Sequence, residues 1–191
     1  MSTRIIYLHG FNSSPQSTKA RHLGDVLAAR GERDRYACPE LPPAPLDAIA
    51  LIEAEMAGAG GQVTLVGSSL GGFYATWLAE KHACRAVLIN PAVLPHVGLR
   101  AYLGPQQNLY TGEAYQLTAD HLRQWQGLYC ETVTPSRYLL LLETGDEVLD
   151  YRVARQHYAG AQQVVVEGGD HQFRSFSQHV ELILRFAGIE S

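Results

Sequence analysis

The chain has 191 residues, enough for one compact domain, and 46% of them are hydrophobic, enough for a full core. Its 15 basic and 19 acidic residues give a net charge of -4 and form no block of like charge, so the long-range field that gathers nucleic acid is missing. We therefore expect a single domain, residues 1–191, that does not bind nucleic acid.

The cysteines and the N-terminal residues indicate the redox environment and the cellular compartment. Cys38, Cys84 and Cys130 are odd in number, widely spaced and in no C-x-x-C pair, which argues against a disulfide framework and against a structural zinc site. The residues before His9 contain too few apolar side chains for the core of a signal peptide, and no apolar run approaches the roughly 18 residues that span a membrane. We expect a cytoplasmic protein that does not engage a membrane.

Along the chain, short apolar runs typical of strands alternate with longer segments of helical periodicity. The predicted strands cover residues 4–9, 36–41, 62–67, 85–90, 137–143 and 161–168. The predicted helices cover residues 17–31, 45–60, 70–82, 151–160 and 175–188, and most of them end in glycine. Several strands are continuously apolar, as central parallel strands are. This alternation predicts a parallel sheet with helices on both faces, joined by right-handed crossovers.

One stretch does not fit the alternation. Residues 91–134 separate two predicted strands by far more than a single crossover helix. Excursions of this size are usually functional or form a packed cover, and we expect a small cover-like segment here. Its aromatic residues are of a kind that more often packs than recognises a ligand: Tyr110, Tyr115, Trp125 and Tyr129. The excursion therefore does not identify the substrate.

The sequence GSSLGG, residues 67–72, joins a predicted strand to a predicted helix and contains two candidate nucleophiles. In a nucleophile elbow, strand and helix come so close that the residues two before and two after the serine must be very small. Ser69 has Gly67 and Gly71 at those positions, whereas Ser68 has a valine and a leucine there. Ser69 is the predicted nucleophile, and Ser68 is a turn residue.

A phosphate-binding loop is the alternative reading of a glycine-rich turn between a strand and a helix. The turn lacks the G-x-G opening of a dinucleotide-binding loop, and Phe73 stands where a Walker loop needs a lysine. These details favour the elbow over a nucleotide site.

A serine nucleophile needs a base and an acid that orients the base, both from loops at the same edge of the sheet. His171 comes just after the last predicted strand, where a loop can bring it over Ser69, and Asp146 lies on the turn after the preceding strand. The other acidic residues nearby lie in the strand, at a helix start or next to the histidine: Glu143, Glu147, Asp150 and Asp170. Geometry favours Asp146, and the order Ser69, Asp146, His171 is the one expected of an α/β-hydrolase.

The loop after the first predicted strand, YLHGFNSSP, supplies an oxyanion hole. In a doubly wound sheet the strand order reverses between the first and third strands, so the loops after them form a crevice. Gly10 permits a tight turn from which Phe11 can offer its N–H, and Leu70 offers the N–H of the residue after the nucleophile. We expect His9 to hold this loop by hydrogen bonds rather than to act as a second base.

The chain closely resembles the small bacterial YqiA-like esterases, single-domain α/β-hydrolases, over nearly its whole length. The similar strings include LHGFNSSPQSTKA, GSSLGGFYATWL, NPAVLP, YLGPQQNLYTG, TGDEVLDY and GGDHQF. The resemblance implies hydrolysis of carboxylic esters or acyl thioesters by a serine triad that matches Ser69, Asp146 and His171. It also implies that the antiparallel strands that open larger α/β-hydrolases are absent.

The predicted fold is thus a three-layer α/β-hydrolase fold with a mostly parallel six-stranded sheet in the order 2-1-3-4-5-6. The predicted activity is that of a serine esterase that acts on a small acyl ester or thioester through an acyl-enzyme and requires no metal and no organic cofactor. A peptidase or a carbon–carbon bond hydrolase on the same triad stays open, as does a non-catalytic binding protein of this fold. The sequence is compatible with a monomer.

Overall fold

A computed structural model describes residues 3–189 of the chain. Within them the strands are β1 (Thr3–Leu8), β2 (Tyr36–Ala37), β3 (Gln62–Ser68), β4 (Arg85–Ile89), β5 (Gly104–Gln107), β6 (Ala114–Leu117), β7 (Tyr138–Glu143) and β8 (Gln162–Val166). The α-helices are α1 (Thr18–Ala29), α2 (Pro45–Ala57), α3 (Leu70–His82), α4 (Pro95–Gly98), α5 (Ala119–Gly127), α6 (Tyr151–His157) and α7 (Val180–Phe186). Short 3₁₀ segments lie at Arg33–Arg35, Leu99–Tyr102, Pro135–Arg137 and Arg174–His179.

Six of the strands form one sheet in the order β2-β1-β3-β4-β7-β8, and every neighbouring pair is parallel. The hairpin strands β5 and β6 pair only with each other, so the main sheet has the predicted order 2-1-3-4-5-6. In the part of the chain that the structure describes, no antiparallel strand belongs to this sheet. The predicted fold class is confirmed.

The main sheet separates two apolar cores. Successive side chains of a strand point to opposite faces, so Ala86 and Leu88 of β4 lie in one core while Val87 and Ile89 lie in the other. Helices α2, α3 and α6 cover the first face, and α1 and α7 cover the second. Because both faces are covered, a central strand such as β7 is buried along its whole length, which explains its continuous apolar sequence.

Two predicted elements differ in detail from the observed ones. The second predicted strand, 36–41, is reduced to Tyr36–Ala37, since Pro39 follows and has no N–H to donate to a neighbouring strand. The last predicted helix, 175–188, begins as the 3₁₀ segment Arg174–His179 and becomes α-helical only at α7. Neither difference moves a residue of the predicted site.

The excursion at residues 91–134 has its own secondary structure, which the sequence did not reveal. It contains α4, the β5–β6 hairpin and α5. Trp125 of α5 is buried, and its Nε1 donates a hydrogen bond of 2.9 Å to the Tyr74 hydroxyl of α3. This aromatic residue therefore packs the excursion onto the sheet domain, as expected. Across the described residues, no helix is long and apolar enough to cross a bilayer.

Candidate active site

Ser69 lies on the sharp turn between β3 and α3. Its φ of 55° and ψ of -119° are unfavourable for a residue with a side chain, and such backbone strain costs about 1–3 kcal/mol. The Ser69 N–H donates to the Ile89 carbonyl at 3.0 Å, and the Ser69 carbonyl accepts from the Ala92 N–H at 3.0 Å. Main-chain bonds from the segment after β4 thus hold the strained turn.

Two glycines allow this turn to form. A Cβ at Gly67 would lie 2.3 Å from the Gly71 carbonyl oxygen, and a Cβ at Gly71 would lie 2.0 Å from the Leu8 carbonyl oxygen. Both distances are far shorter than van der Waals contact. The strand and helix of the elbow therefore approach as closely as the G-x-S-x-G pattern predicts.

The structure brings the three predicted triad residues together. Nε2 of His171 lies 3.1 Å from Ser69 Oγ, and Nδ1 of His171 lies 2.9 Å from Asp146 Oδ2. The Asp146 side chain is almost fully buried, and its Oδ1 also accepts the N–H groups of Val148 and Leu149 at 2.9 and 2.8 Å. The carboxylate is thus fixed independently of the histidine, with an oxygen directed at its ring.

The other acidic residues near Asp146 have different partners. Glu147 accepts the backbone N–H of His171, Asp150 caps the start of α6, and Asp170 pairs with Arg174. Glu143 is buried at the end of β7 and bonds to the loop on which His171 lies. Among these carboxylates, Asp146 is the one bonded to the imidazole.

The loop after β1 lies directly against the elbow. A Cβ at Gly10 would stand 3.2 Å from Ser69 Cβ, so this glycine lets the loop come next to the nucleophile. Phe11, Leu70 and Ser69 line one cavity, as an oxyanion hole formed by the Phe11 and Leu70 N–H groups requires. Leu70 opens α3, so its N–H has no intrahelical acceptor.

His9 holds the same loop from beneath. The ring is only 4% exposed; its Nδ1 donates to the Gly10 carbonyl at 3.1 Å, and its Nε2 accepts the Leu41 N–H at 3.0 Å. Burial lowers the pKa of His9 below the usual range of a histidine. The neutral ring therefore fills a structural position, as the sequence analysis expected.

The β5–β6 hairpin supports the loop after β1 from the other side, which sequence reasoning missed. Asn12 has a φ of 52°; its Nδ2 donates to Gln106 Oε1 at 3.1 Å, and its Oδ1 accepts the Tyr115 hydroxyl at 2.6 Å. Asn108 donates from Nδ2 to the Ser13 carbonyl at 2.8 Å. The available signal was the turn NLYTG, in which Asn108 accepts the N–H groups of the two residues after Leu109.

Two cavities of contrasting character meet at Ser69 and His171. One, of about 470 Å³, is mainly apolar, and its lining includes Leu94, Val97, Leu99, Tyr102, Val148 and Val153. The other, of about 580 Å³, is richer in polar groups, and its lining includes Ser13, Ser17, Lys19, His22, Arg174 and Ser177. A substrate held at Ser69 can therefore place an apolar part on one side and a polar part on the other.

The cysteine thiols do not compete with the serine as nucleophiles. The three cysteines are free, and burial raises the pKa of Cys38 to about 12 and that of Cys84 to about 11. Thiols of this kind are poor nucleophiles at neutral pH. Between residues 3 and 189, no group of three or more His, Cys, Asp or Glu side chains is arranged to hold a metal ion.

Comparison with known proteins places this geometry in context. The model of UPF0227, an uncharacterised protein family, matches residues 4–188. Mouse alpha/beta hydrolase domain-containing protein 10 is similar in structure, with a TM-score of 0.76 and 15% identity over 96% of this chain and 89% of that one.

Est1E from Butyrivibrio proteoclasticus has a TM-score of 0.71 and 16% identity over 97% of this chain and 84% of its own. The monoacylglycerol lipase of Paleococcus ferrophilus has a TM-score of 0.70 and 14% identity, covering 97% of this chain and 94% of its own. At such low identities the likeness establishes the α/β-hydrolase fold.

Proposed function

The chain belongs to the UPF0227 family, and we propose that it is a serine esterase that cleaves carboxylic esters or acyl thioesters through an acyl-enzyme. The observation that carries the proposal is the hydrogen-bonded series in which His171 lies 3.1 Å from Ser69 Oγ and 2.9 Å from Asp146. A nucleophile, a base and an orienting acid in that order are the parts that serine acyl transfer requires. One similar structure is named a monoacylglycerol lipase, which supports the same class.

In the acylation half-reaction, His171 Nε2 takes the proton of Ser69 Oγ as that oxygen attacks the acyl carbonyl carbon. The carbonyl oxygen becomes an oxyanion beside the N–H groups of Phe11 and Leu70, each of which contributes about 3 kcal/mol by the magnitude of such donors. The bond from the carbonyl carbon to the leaving oxygen or sulfur then breaks, and His171 returns the proton to the leaving group. Asp146 stabilises the imidazolium throughout.

In the deacylation half-reaction, His171 removes a proton from a water molecule that attacks the acyl-enzyme. The ester bond to Ser69 Oγ breaks, the carboxylic acid leaves, and the serine recovers its proton from the imidazolium. Each proton is taken and returned at His171 Nε2, so the mechanism needs no metal and no organic cofactor.

The two cavities support a division of the substrate. The apolar cavity suits a hydrocarbon acyl group, because desolvation of apolar surface favours its binding there. The cavity that contains Lys19 and Arg174 suits a polar alcohol or thiol portion. Peptidase and carbon–carbon hydrolase activities use the same triad, and turnover of matched esters, thioesters, aminopeptide substrates and β-diketones separates these classes.

Covalent labelling tests the proposal directly. Wild-type protein treated with a fluorophosphonate and mapped by mass spectrometry is expected to carry the label on Ser69. Ser69→Ala is expected to lose the label and to lower kcat on a p-nitrophenyl ester by several orders of magnitude, as removal of a triad nucleophile does. Ser136→Ala, at an exposed serine of the 3₁₀ segment Pro135–Arg137, is the control and retains both.

A folded wild-type protein that takes no label and hydrolyses no ester or thioester would contradict the proposal and favour the non-catalytic binding protein. The cytoplasmic location, the monomeric state and the lack of nucleic-acid and membrane partners stay predictions from the sequence.

A further inference from the structure

The loop that carries His171 is held by side chains from distant parts of the chain. The Asp170 N–H donates to Glu143 Oε2 at 2.8 Å, and the Asp170 carbonyl accepts from Asn90 Nδ2 at 3.1 Å. The His171 N–H donates to Glu147 at 3.0 Å. Both peptide groups of Asp170, the residue before the histidine, are thus fixed from the ends of two neighbouring strands, β7 and β4.

Glu143 is the centre of this arrangement. It is 1% exposed, and besides the Asp170 N–H its carboxylate accepts the Ser175 hydroxyl at 2.6 Å and the Ser175 N–H at 3.3 Å. A Cβ at Gly169 would lie 2.1 Å from Glu143 Oε2, so the carboxylate reaches the loop only because that residue is glycine. One donor before His171 and two donors after it therefore bond to the same buried side chain.

Asn90 connects Glu143 to the other side of the same loop. It is 2% exposed and has a φ of 39°. Its Oδ1 accepts the Glu143 N–H at 3.0 Å, while its Nδ2, which donates to the Asp170 carbonyl, also lies 3.4 Å from the His171 carbonyl oxygen. The amide uses both its accepting and its donating ends, so the strand ends and the loop form one hydrogen-bonded network.

The network is costly to bury. A carboxylate taken out of water is destabilised unless hydrogen bonds and nearby positive charge replace its hydration. Lys19 is such a charge: its Nζ donates to the Gln172 carbonyl at 2.7 Å. Burial lowers the pKa of Lys19, and the nearby carboxylates, Asp170 and then Glu143, oppose that lowering. An apolar side chain at the end of β7 would avoid this desolvation cost. The buried carboxylate is therefore better explained by its hydrogen bonds to the loop than by a gain in folding stability.

We propose that Glu143 and Asn90 are positioning residues that keep His171 Nε2 at hydrogen-bonding distance from Ser69 Oγ. Within the described residues, neither side chain lines the cavities at Ser69 or bonds to the triad side chains. They act through the backbone of the loop, and a displacement of about 1 Å at a reacting group lowers rate by about 100-fold. This inference rests on the proposed esterase function.

Glu143→Gln tests the inference with little change in size. The amide leaves one accepting oxygen for the donors of Asp170 and Ser175 and turns its NH₂ toward one of them. We expect kcat on a p-nitrophenyl ester to fall by about 10- to 100-fold, while KM changes by less than about threefold, because the substrate cavities are untouched. Glu167→Gln, the same substitution at an exposed residue just before the loop, is the control and leaves both constants unchanged.

A double-mutant cycle separates positioning from a general structural role. If Glu143 acts through His171, Glu143→Gln has no further effect on the residual activity of His171→Ala. The inference is overturned if Glu143→Gln lowers activity by the same factor in both backgrounds, or if it keeps the wild-type kcat.

If Glu143→Gln does not fold, as judged by circular dichroism, Ser175→Ala decides. It removes only the hydroxyl donor to the carboxylate, and kcat is expected to fall about fivefold, the worth of one hydrogen bond, again only when His171 is present. An unchanged kcat in folded Ser175→Ala then contradicts the inference. Failure of the proposed function looks different: the wild type and Glu167→Gln are themselves inactive and unlabelled, and the positioning role falls with it.

Discussion

Ser69 and His171 lie 3.1 Å apart at their reacting atoms, yet the chain fixes them in different ways. The turn at Ser69 is held by main-chain hydrogen bonds and by the close packing that Gly67 and Gly71 allow. The loop at His171 is held by side chains that reach it from the ends of β4 and β7 and from α1. The nucleophile is thus positioned by main-chain hydrogen bonds and close backbone packing, and the base by polar contacts from side chains.

This difference explains why the two were unequally visible in the sequence. The elbow is defined by five consecutive residues, Gly67–Gly71, so the spacing of the glycines alone distinguishes Ser69 from Ser68. His171 and Asp146 could be chosen because each follows a predicted strand, but the contacts that hold the histidine join residues 27, 32 and 80 positions apart. Pairings of that range depend on the folded sheet. Glu143 was visible as an acidic residue near the site, and its role was not.

The largest effect is expected from a substitution that disrupts the elbow itself. Gly71→Ala places a Cβ about 2.0 Å from the rigid Leu8 carbonyl, which cannot move without displacing β1. We expect the free energy of unfolding to fall by at least about 3 kcal/mol, measured by urea denaturation, with loss of ester hydrolysis. Gly127→Ala at the end of α5 meets no atom within 4 Å and is the control, expected to change stability by less than about 1 kcal/mol. Wild-type stability in Gly71→Ala would show that the elbow is looser than described.

A smaller effect is expected at the loop of His171, where two adjacent glycines form a matched pair. Gly168 and Gly169 have φ values of 77° and 73°, so alanine at either should cost about 1–2 kcal/mol of backbone strain. Only at Gly169 does the new Cβ meet the Glu143 carboxylate; at Gly168 it meets nothing within 4 Å.

Gly169→Ala should therefore lower kcat by about 10-fold or more relative to Gly168→Ala. It should also be the less stable of the two, because the new Cβ displaces a buried carboxylate from its hydrogen bonds. Steady-state kinetics and urea denaturation of the two variants give the comparison. Equal kcat values in the two variants would argue that the contact with Glu143 does not position His171.

The smallest effect concerns the loop after β1, which is held by the buried ring of His9. Because burial lowers the pKa of folded His9 below its unfolded value, the unfolded state binds a proton more readily as pH falls. The contribution of His9 is intact above about pH 6.5 and is lost progressively below it. Protonation would also turn an Nε2–H toward the Leu41 N–H.

We expect the free energy of unfolding to fall through His9 as the pH is lowered from 7 to 5. Parallel urea titrations of the wild type and of His9→Asn isolate that share, because the other histidines are common to both. A pH dependence that is identical in the two proteins would exclude His9 as its source.

The fold was predicted more completely than the surroundings of the site. The parallel sheet with helices on both faces followed from the alternation of apolar runs and helical segments, and the strand order followed from the α/β-hydrolase pattern. The hairpin at β5 and β6 did not, because its short strands contain residues such as Gly104 and Pro105 that are uncommon in strands, and because its contacts go to Asn12 rather than to the main sheet. Local propensity cannot report a strand that is held by a distant loop.

The bonds from the hairpin to Asn12 and Ser13 also bear on how a chain of this fold can be redesigned. Residues 91–134 supply Leu94, Val97, Leu99 and Tyr102 to the apolar cavity and, in the same segment, the hairpin that steadies the loop just after Phe11, the proposed oxyanion donor. In the proposed function, one continuous piece of chain therefore contributes both to the acyl-binding cavity and to the support of the oxyanion loop. A graft of this segment from a relative would transfer the cavity lining and the support of the loop after β1 together, whereas its deletion would remove both.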